Sequence, residues 1–195
     1  MLKGQQNMDL VNYIGYHGTD QSLLEKIENN GFNSNHSNSS LPCDLGPGVY
    51  MYIARPGFPN NEPKNNAKKY VQSIKRRYAN PIVLEIKTEF ENQNKILDMN
   101  DPSNQSFFLD FKEKNLEKIE QIFKKLNKNQ TKLRGKIDGL ILDLMIKNTN
   151  SPIDAIIVDS YTPFDFRGYK QSNIPNGREM CLRNPQSIIS YSISF

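Results

Sequence analysis

The chain has 195 residues, 36% of them hydrophobic, which suffices for one domain with a buried core or one domain carrying an insertion. Its formal net charge of +4 permits anionic partners without requiring one, and solvated lysines account for most of it. Two cysteines, Cys43 and Cys181, exclude a disulfide framework and have no zinc-type spacing, and no stretch approaches the roughly 20 apolar residues of a membrane span.

In chain order, Met1 to Leu10 is polar, without an apolar core of signal-peptide length. The reading is therefore a soluble protein made in the cytoplasm, or delivered elsewhere by a leaderless route. Val11 to Tyr16 is rich in β-branched and aromatic residues and predicts a strand. Thr19 or Asp20 can cap a following helix with Leu23, Leu24 and Ile27 on one face, and Gly31 can stop it. Phe32 to Gly48, dominated by Asn, Ser, Gly and Pro, predicts a mobile loop containing a solvated His36. Val49 to Ile53 predicts a second strand.

Arg55 to Pro63 is irregular. Lys64 to Tyr78 then predicts a basic helix, with Ala67, Tyr70, Val71 and Ile74 at helical spacing. Pro81 opens a strand over Ile82 to Lys87, and Lys95 to Met99 can form another. A helical block follows, at about 104–148, with two apolar stripes: Leu116, Ile119, Ile122, Phe123 and Leu126, then Ile137, Leu140, Ile141, Leu144 and Met145. Ile153 to Val158, Met180 to Arg183 and Ile188 to Ser194 predict the closing strands, with a long loop from Ser160 to Asn176. This order argues for α+β with a partly antiparallel sheet. The usual phosphate cradles, G-x-G-x-x-G and the Walker-type G-x-x-x-x-G-K, are missing.

Three short motifs carry the chemistry. Tyr16-His17-Gly18-Thr19 leaves the first strand; Gly46-Pro47-Gly48-Val49-Tyr50 enters the second; and Gly177-Arg178-Glu179 heads a late one. In this order they resemble the diphtheria-toxin and poly(ADP-ribose)-polymerase branch of ADP-ribosyltransferases, marked by a His-Tyr-Glu triad. The resemblance covers most of the chain in order, though only those motifs carry it. It implies one catalytic domain over 1–195, a split, mixed or antiparallel sheet with an NAD cleft, and the helical block as an insertion outside the minimal core. It also implies site residues. His17 would hold a ribose hydroxyl of NAD. Gly18 would grip the nicotinamide carboxamide through its backbone, a side chain there blocking the approach. Thr19 stands where a small hydroxyl residue is common. Tyr50 would stack on the nicotinamide ring, Tyr70 would supply an opposing ring, and Glu179 would be the catalytic acid.

The implied activity is mono-ADP-ribosyl transfer from NAD, as a substrate and without a metal, to a protein or other macromolecular acceptor, as in a toxin or effector. Cleaving the nicotinamide–ribose bond develops oxocarbenium character, which a carboxylate stabilises. One departure concerns the acceptor: arginine-modifying members carry a second acid two positions before the glutamate, where this chain has Gly177. Arg178 could instead help hold phosphate or target.

Plain alternatives stand beside each assignment. Either Tyr50 or Tyr52 could be core packing, Glu179 could simply pair with Arg178 or Arg183, and Cys181 suits a small buried apolar position. At the level of function, the alternatives are an NAD glycohydrolase, a non-catalytic NAD or ADP-ribose-binding module, and a cysteine hydrolase using Cys43 or Cys181 with His17. Nucleic acid is not favoured, because the basic residues between Lys64 and Arg77 spread around their helix. The expected state is a monomer with no membrane partner.

Overall fold

The structure is a computed structural model that describes residues 9–32, 42–125, 136–149, 152–164 and 172–195. His36 and most of the long loop around it lie outside the described residues, as does the middle of the loop after Ser160.

Among the described residues seven strands form: β1 (Val11–Asp20), β2 (Val49–Ile53), β3 (Pro81–Phe90), β4 (Ile96–Asp98), β5 (Ala155–Ser160), β6 (Gly177–Leu182) and β7 (Ile188–Ile193). They make one mixed sheet in the order β4-β5-β6-β2-β1-β3-β7, parallel only between β4 and β5. With the helices below, this is an α+β chain. β1 runs four residues beyond the expected Tyr16 because β3 pairs with it throughout, from Val11↔Phe90 to Asp20↔Pro81. β6 begins at Gly177, so Glu179 lies inside the strand rather than at its head.

Strand alternation sorts the side chains onto two faces. One face collects Val49, Met51, Ile53, Leu84, Ile86, Met180 and Leu182 into the largest apolar cluster. We call it the core face. Helix α1 (Leu24–Asn30) closes onto it through Leu24 and Ile27. The turn leading into α1 is capped by the Asp20 carboxylate, which accepts from the Ser22 N–H at 3.0 Å. Gly31, at φ 71°, ends the helix in a conformation that favours glycine.

The opposite face, here the helix face, carries Tyr16, Tyr50, Tyr52, Ile156, Glu179 and Cys181. Helix α2 (Glu62–Lys69) packs there through Ala67, and Pro63 occupies its first turn. A wide turn, Tyr70–Ile74, follows and brings Val71 into the same cluster. The helix therefore starts before Lys64 and stops short of Tyr78. The chain from Lys75 needs the intervening residues to return to β3, and the residue before Pro81 is held to extended backbone.

The helical block divides into α3 (Pro102–Lys114), α4 (Leu116–Lys125) and α5 (Lys136–Thr149). Asp101 caps α3 and Asn115 terminates it. Ile119, Ile141, Leu142, Met145 and Ile146 pack together with Ile156 and Cys181 of the sheet. The expected stripes are buried unevenly: Leu116 remains 49% exposed, whereas Ile141 is fully buried.

Topology gives this block a definite task in the fold. β4 and β5 are adjacent and parallel, Ile96↔Ala155 to Asp98↔Ile157. A parallel pair cannot be joined by a tight turn and needs a crossover of a dozen or more residues. The three helices are that crossover, and they cover the sheet half that holds Glu179. Ile141→Ala should accordingly destabilise the whole protein by about 2–5 kcal/mol in one cooperative urea transition. A helical layer only loosely attached to the sheet would instead melt in a separate phase.

Candidate active site

The strands β1 and β2 share only two register pairs, Gly15↔Ile53 and Tyr16↔Tyr52. Past that point both strands continue, β1 along β3 and β2 along β6, but no longer along each other. The sheet therefore forks. A cavity of about 900 Å³ opens at the fork and reaches both faces of the sheet.

His17, Gly18, Thr19, Tyr50, Tyr70 and Glu179, the six residues singled out from the sequence, all line this cavity. They arrive from different faces. His17 lies opposite Leu84, on the core face, whereas Tyr50, Tyr52 and Glu179 share the helix face. Only the opening between β1 and β2 lets the two sets meet.

The His17 Nδ1 lies 2.6 Å from the Tyr50 carbonyl oxygen. A carbonyl only accepts, so Nδ1 carries the proton and the neutral ring keeps Nε2 as an acceptor. Burial is the main cause holding this imidazole below its ordinary pKa, and Lys75 adds to it against the opposing effect of the Tyr50 bond. Phe32 packs edge-on against the ring at 6.0 Å between centroids, and Tyr191 supports Phe32 in turn.

Glu179 is gripped by hydroxyls. Its Oε1 accepts from Ser160 Oγ at 2.6 Å and from Thr162 Oγ1 at 3.1 Å. Tyr52 Oη lies 2.9 Å from Thr162 Oγ1, so the donors run from Tyr52 through Thr162 to the carboxylate. Asn176 fixes Thr162 itself, accepting from its N–H at 2.9 Å and donating to its carbonyl at 2.7 Å. Burial raises the Glu179 carboxyl above its ordinary pKa, with the Asp44 carboxylate next, and the hydroxyls oppose the shift.

Neither arginine proposed as a structural partner reaches Glu179. Arg178 projects to the core face and forms two bonds to Asp159, at 2.6 and 3.2 Å. Arg183 pairs with Asp143 of α5 at 2.7 Å. Arg178 is thus committed to Asp159, away from the face on which Glu179 lies.

Tyr50 is only partly offered to the cavity. Its hydroxyl donates to the Gly46 carbonyl at 2.8 Å and accepts from the Leu45 N–H at 2.9 Å, and its ring packs beside Cys181. Tyr52 is the aromatic residue directly opposite Glu179 in register. Cys181 is fully buried, with its thiol pushed up to about 12, and so makes a poor nucleophile. Cys43 lines the cavity, as do Asp44, Lys26 and Lys75.

Packing leaves no room for a side chain at two glycines. A Cβ on Gly18 would fall 2.4 Å from Val71 Cγ1 and 3.0 Å from the Ala67 carbonyl oxygen. The close approach of α2 and the turn that follows it to β1 by itself requires glycine here. At Gly177 a Cβ would meet Asn66 Nδ2 at 2.7 Å and the Tyr52 ring at 3.2 Å. There is no room for an acid two positions before Glu179.

Sequence reasoning missed Tyr52, Ser160, Thr162, Asn176 and Asp44. Period-two spacing from Tyr50 could have placed Tyr52 on the Glu179 face, but nothing local marks the hydroxyls or Asn176. They act through contacts 14 to 19 residues away in sequence.

No protein-family model, curated protein or solved structure matches the chain. Among the described residues, no helix is long and apolar enough to cross a membrane, and no group of three or more His, Cys, Asp or Glu could hold a metal.

The Gly18 geometry has a measurable consequence. Gly18→Ala should cost about 1–3 kcal/mol of unfolding free energy through overpacking against Val71 and the end of α2. Adding Val71→Ala should return part of that loss, a coupling that a double-mutant cycle reads directly.

Proposed function

We propose that the protein cleaves the nicotinamide–ribose bond of NAD and passes ADP-ribose to an acceptor, in the manner of the diphtheria-toxin and poly(ADP-ribose)-polymerase branch of ADP-ribosyltransferases. One observation carries the reading. Three stretches far apart in the chain deliver an imidazole, aromatic rings and a buried acid to a single cavity at the sheet fork. A cavity of this size suits a dinucleotide. Lys26 and Lys75 line the cavity and contribute positive charge that would attract a pyrophosphate, and Glu179 provides the acid.

Each group has a task that its geometry suits. The Nε2 of His17 can accept from a ribose hydroxyl while Nδ1 stays bonded to the Tyr50 carbonyl, so the imidazole positions without transferring a proton. Tyr70, on the cavity wall, would stack on the nicotinamide, and Tyr52 would support the wall from within the sheet. Glu179, held by Ser160 and Thr162, stabilises the positive charge that develops on the sugar as the glycosidic bond breaks. A carboxyl that burial makes reluctant to ionise gains a favourable partner when the cationic nicotinamide ring enters.

The decisive experiment uses NAD labelled on the adenylate, incubated with the purified chain alone and with cell lysate. Free ADP-ribose, self-modification and labelled lysate bands report glycohydrolase activity, automodification and transfer to a target respectively. Glu179→Gln should reduce nicotinamide release about 10²–10³-fold while leaving NAD affinity within a few fold. Wild-type release in that variant removes the assignment of Glu179. Binding of NAD by the unaltered chain without any release would leave a binding module.

The pH dependence follows from the raised carboxyl. Cleavage requires the ionised form, so kcat/KM should fall on the acid side starting above the ordinary carboxylate range. Ser160→Ala removes a bond that favours the ionised form, so its acid limb should lie at higher pH than the wild type's. Hydrogen bonds to charged groups are worth about 1.5–3 kcal/mol, so activity near neutrality should also drop by roughly tenfold or more.

A further inference from the structure

Asp44 is an acid on the cavity wall that the motifs do not include. It belongs to the turn that leads into β2, and that turn is gripped from several sides. The Gly46 N–H donates to the Cys43 carbonyl at 2.9 Å. The Tyr50 hydroxyl bonds the carbonyl of Gly46 and the N–H of Leu45, and the Leu45 side chain is buried against Ile141 and Leu142. Helix α5 presses on the same backbone. A Cβ on its Gly139 would lie 1.8 Å from the Cys43 carbonyl oxygen and 2.8 Å from the Gly46 nitrogen. One turn further along α5, Asp143 holds Arg183.

Asp44 therefore stands on fixed backbone, which is what an acid needs if it is to act at a defined point. Its charge is felt by the cavity groups of the helix face: it raises the pKa of Glu179, Tyr50, Tyr52 and Tyr70. The two carboxyls have different surroundings. Glu179 lies within β6 and is held by two hydroxyls, whereas Asp44 stands on a turn at the cavity wall; both are half-buried. Paired acids in unlike environments divide the tasks of sugar chemistry between them, one stabilising the cation and the other moving a proton.

We propose that Asp44 is the base that takes the proton of the attacking hydroxyl, an inference that rests on the NAD-cleaving function given above. The bond between C1′ of the ribose and the nicotinamide nitrogen breaks, and its electron pair departs with neutral nicotinamide. An oxygen of water or of an acceptor hydroxyl then bonds to C1′, and its proton passes to the Asp44 carboxylate. No oxidation or reduction occurs. His17 is less suited to this step, because it approaches from the core face while Glu179 and the turn's own Tyr50 lie on the other.

The test is how the reaction partitions after nicotinamide has left. The purified full chain is given NAD and 3-acetylpyridine, a neutral nucleophile with no proton to lose. Attack by water gives ADP-ribose, whereas attack by 3-acetylpyridine gives the exchanged dinucleotide. Only the first needs a base. In Asp44→Asn and in Asp44→Ala the ratio of exchange to hydrolysis should rise by about 10²-fold, the lower end of what a positioned base contributes. Asp44→Glu, which keeps a carboxyl, should stay nearer the wild-type ratio. An unchanged ratio in either variant that folds overturns the proposal, including the case where both products fall together because Asp44 only attracts the nicotinamide cation. A wild-type chain that releases no nicotinamide overturns the underlying function and this role with it. Release that depends on Glu179 with a partition insensitive to Asp44 overturns this role alone.

Discussion

The hydrogen bond from His17 to the Tyr50 carbonyl spans a gap that the sheet itself leaves open. Two strands that begin as neighbours separate after two register pairs, and each keeps its other neighbour. Such a parting exposes main-chain groups that would ordinarily satisfy each other, and a buried carbonyl without a donor is costly. A side chain from β1 supplies the donor to β2 at 2.6 Å. The same contact fixes the tautomer of the ring and the width of the opening. Structure and proposed chemistry thus depend on one bond, because the imidazole that pins the fork also lines the cavity.

Much of this was legible in the residues. The strands with simple alternation, Val49 to Ile53 above all, form where their β-branched and aromatic content places them. Asp20 caps the turn that leads into α1 and Gly31 ends that helix, as their chemistry dictates. What the residues did not disclose is long-range pairing. β1 extends to Asp20 only because β3 accompanies it, and Glu179 lies within β6 because β2 and β5 flank it from Gly177 onward. The end of α2 was equally hidden, since a wide turn at Tyr70–Ile74 has no distinctive local composition.

For the candidate site, the motif residues that line the cavity were legible while most of the residues that hold them were not. His17, Tyr50 and Glu179 stand out because each sits beside glycines in a recognisable order. Ser160, Thr162 and Asn176 come from an ordinary polar stretch, and their relevance exists only once β5 lies against β6. The glycines give a related lesson. Gly18 is marked in sequence by its motif and Gly177 by the acid it replaces, but the packing that forbids a larger group at either position involves Ala67, Val71, Asn66 and Tyr52, which no local pattern links to them.

The direction of β4 has a consequence for how small this protein could become. Were α3 to α5 replaced by a two-residue link, the strand would have to lie the other way round beside β5, as any hairpin does. Ile96 and Asp98 would exchange ends, and the wall that braces the pocket's entrance turn would vanish with the shortened chain. A miniature that keeps a working pocket must therefore retain a helical bridge, and its lower size limit is set by the route between two strands rather than by the site.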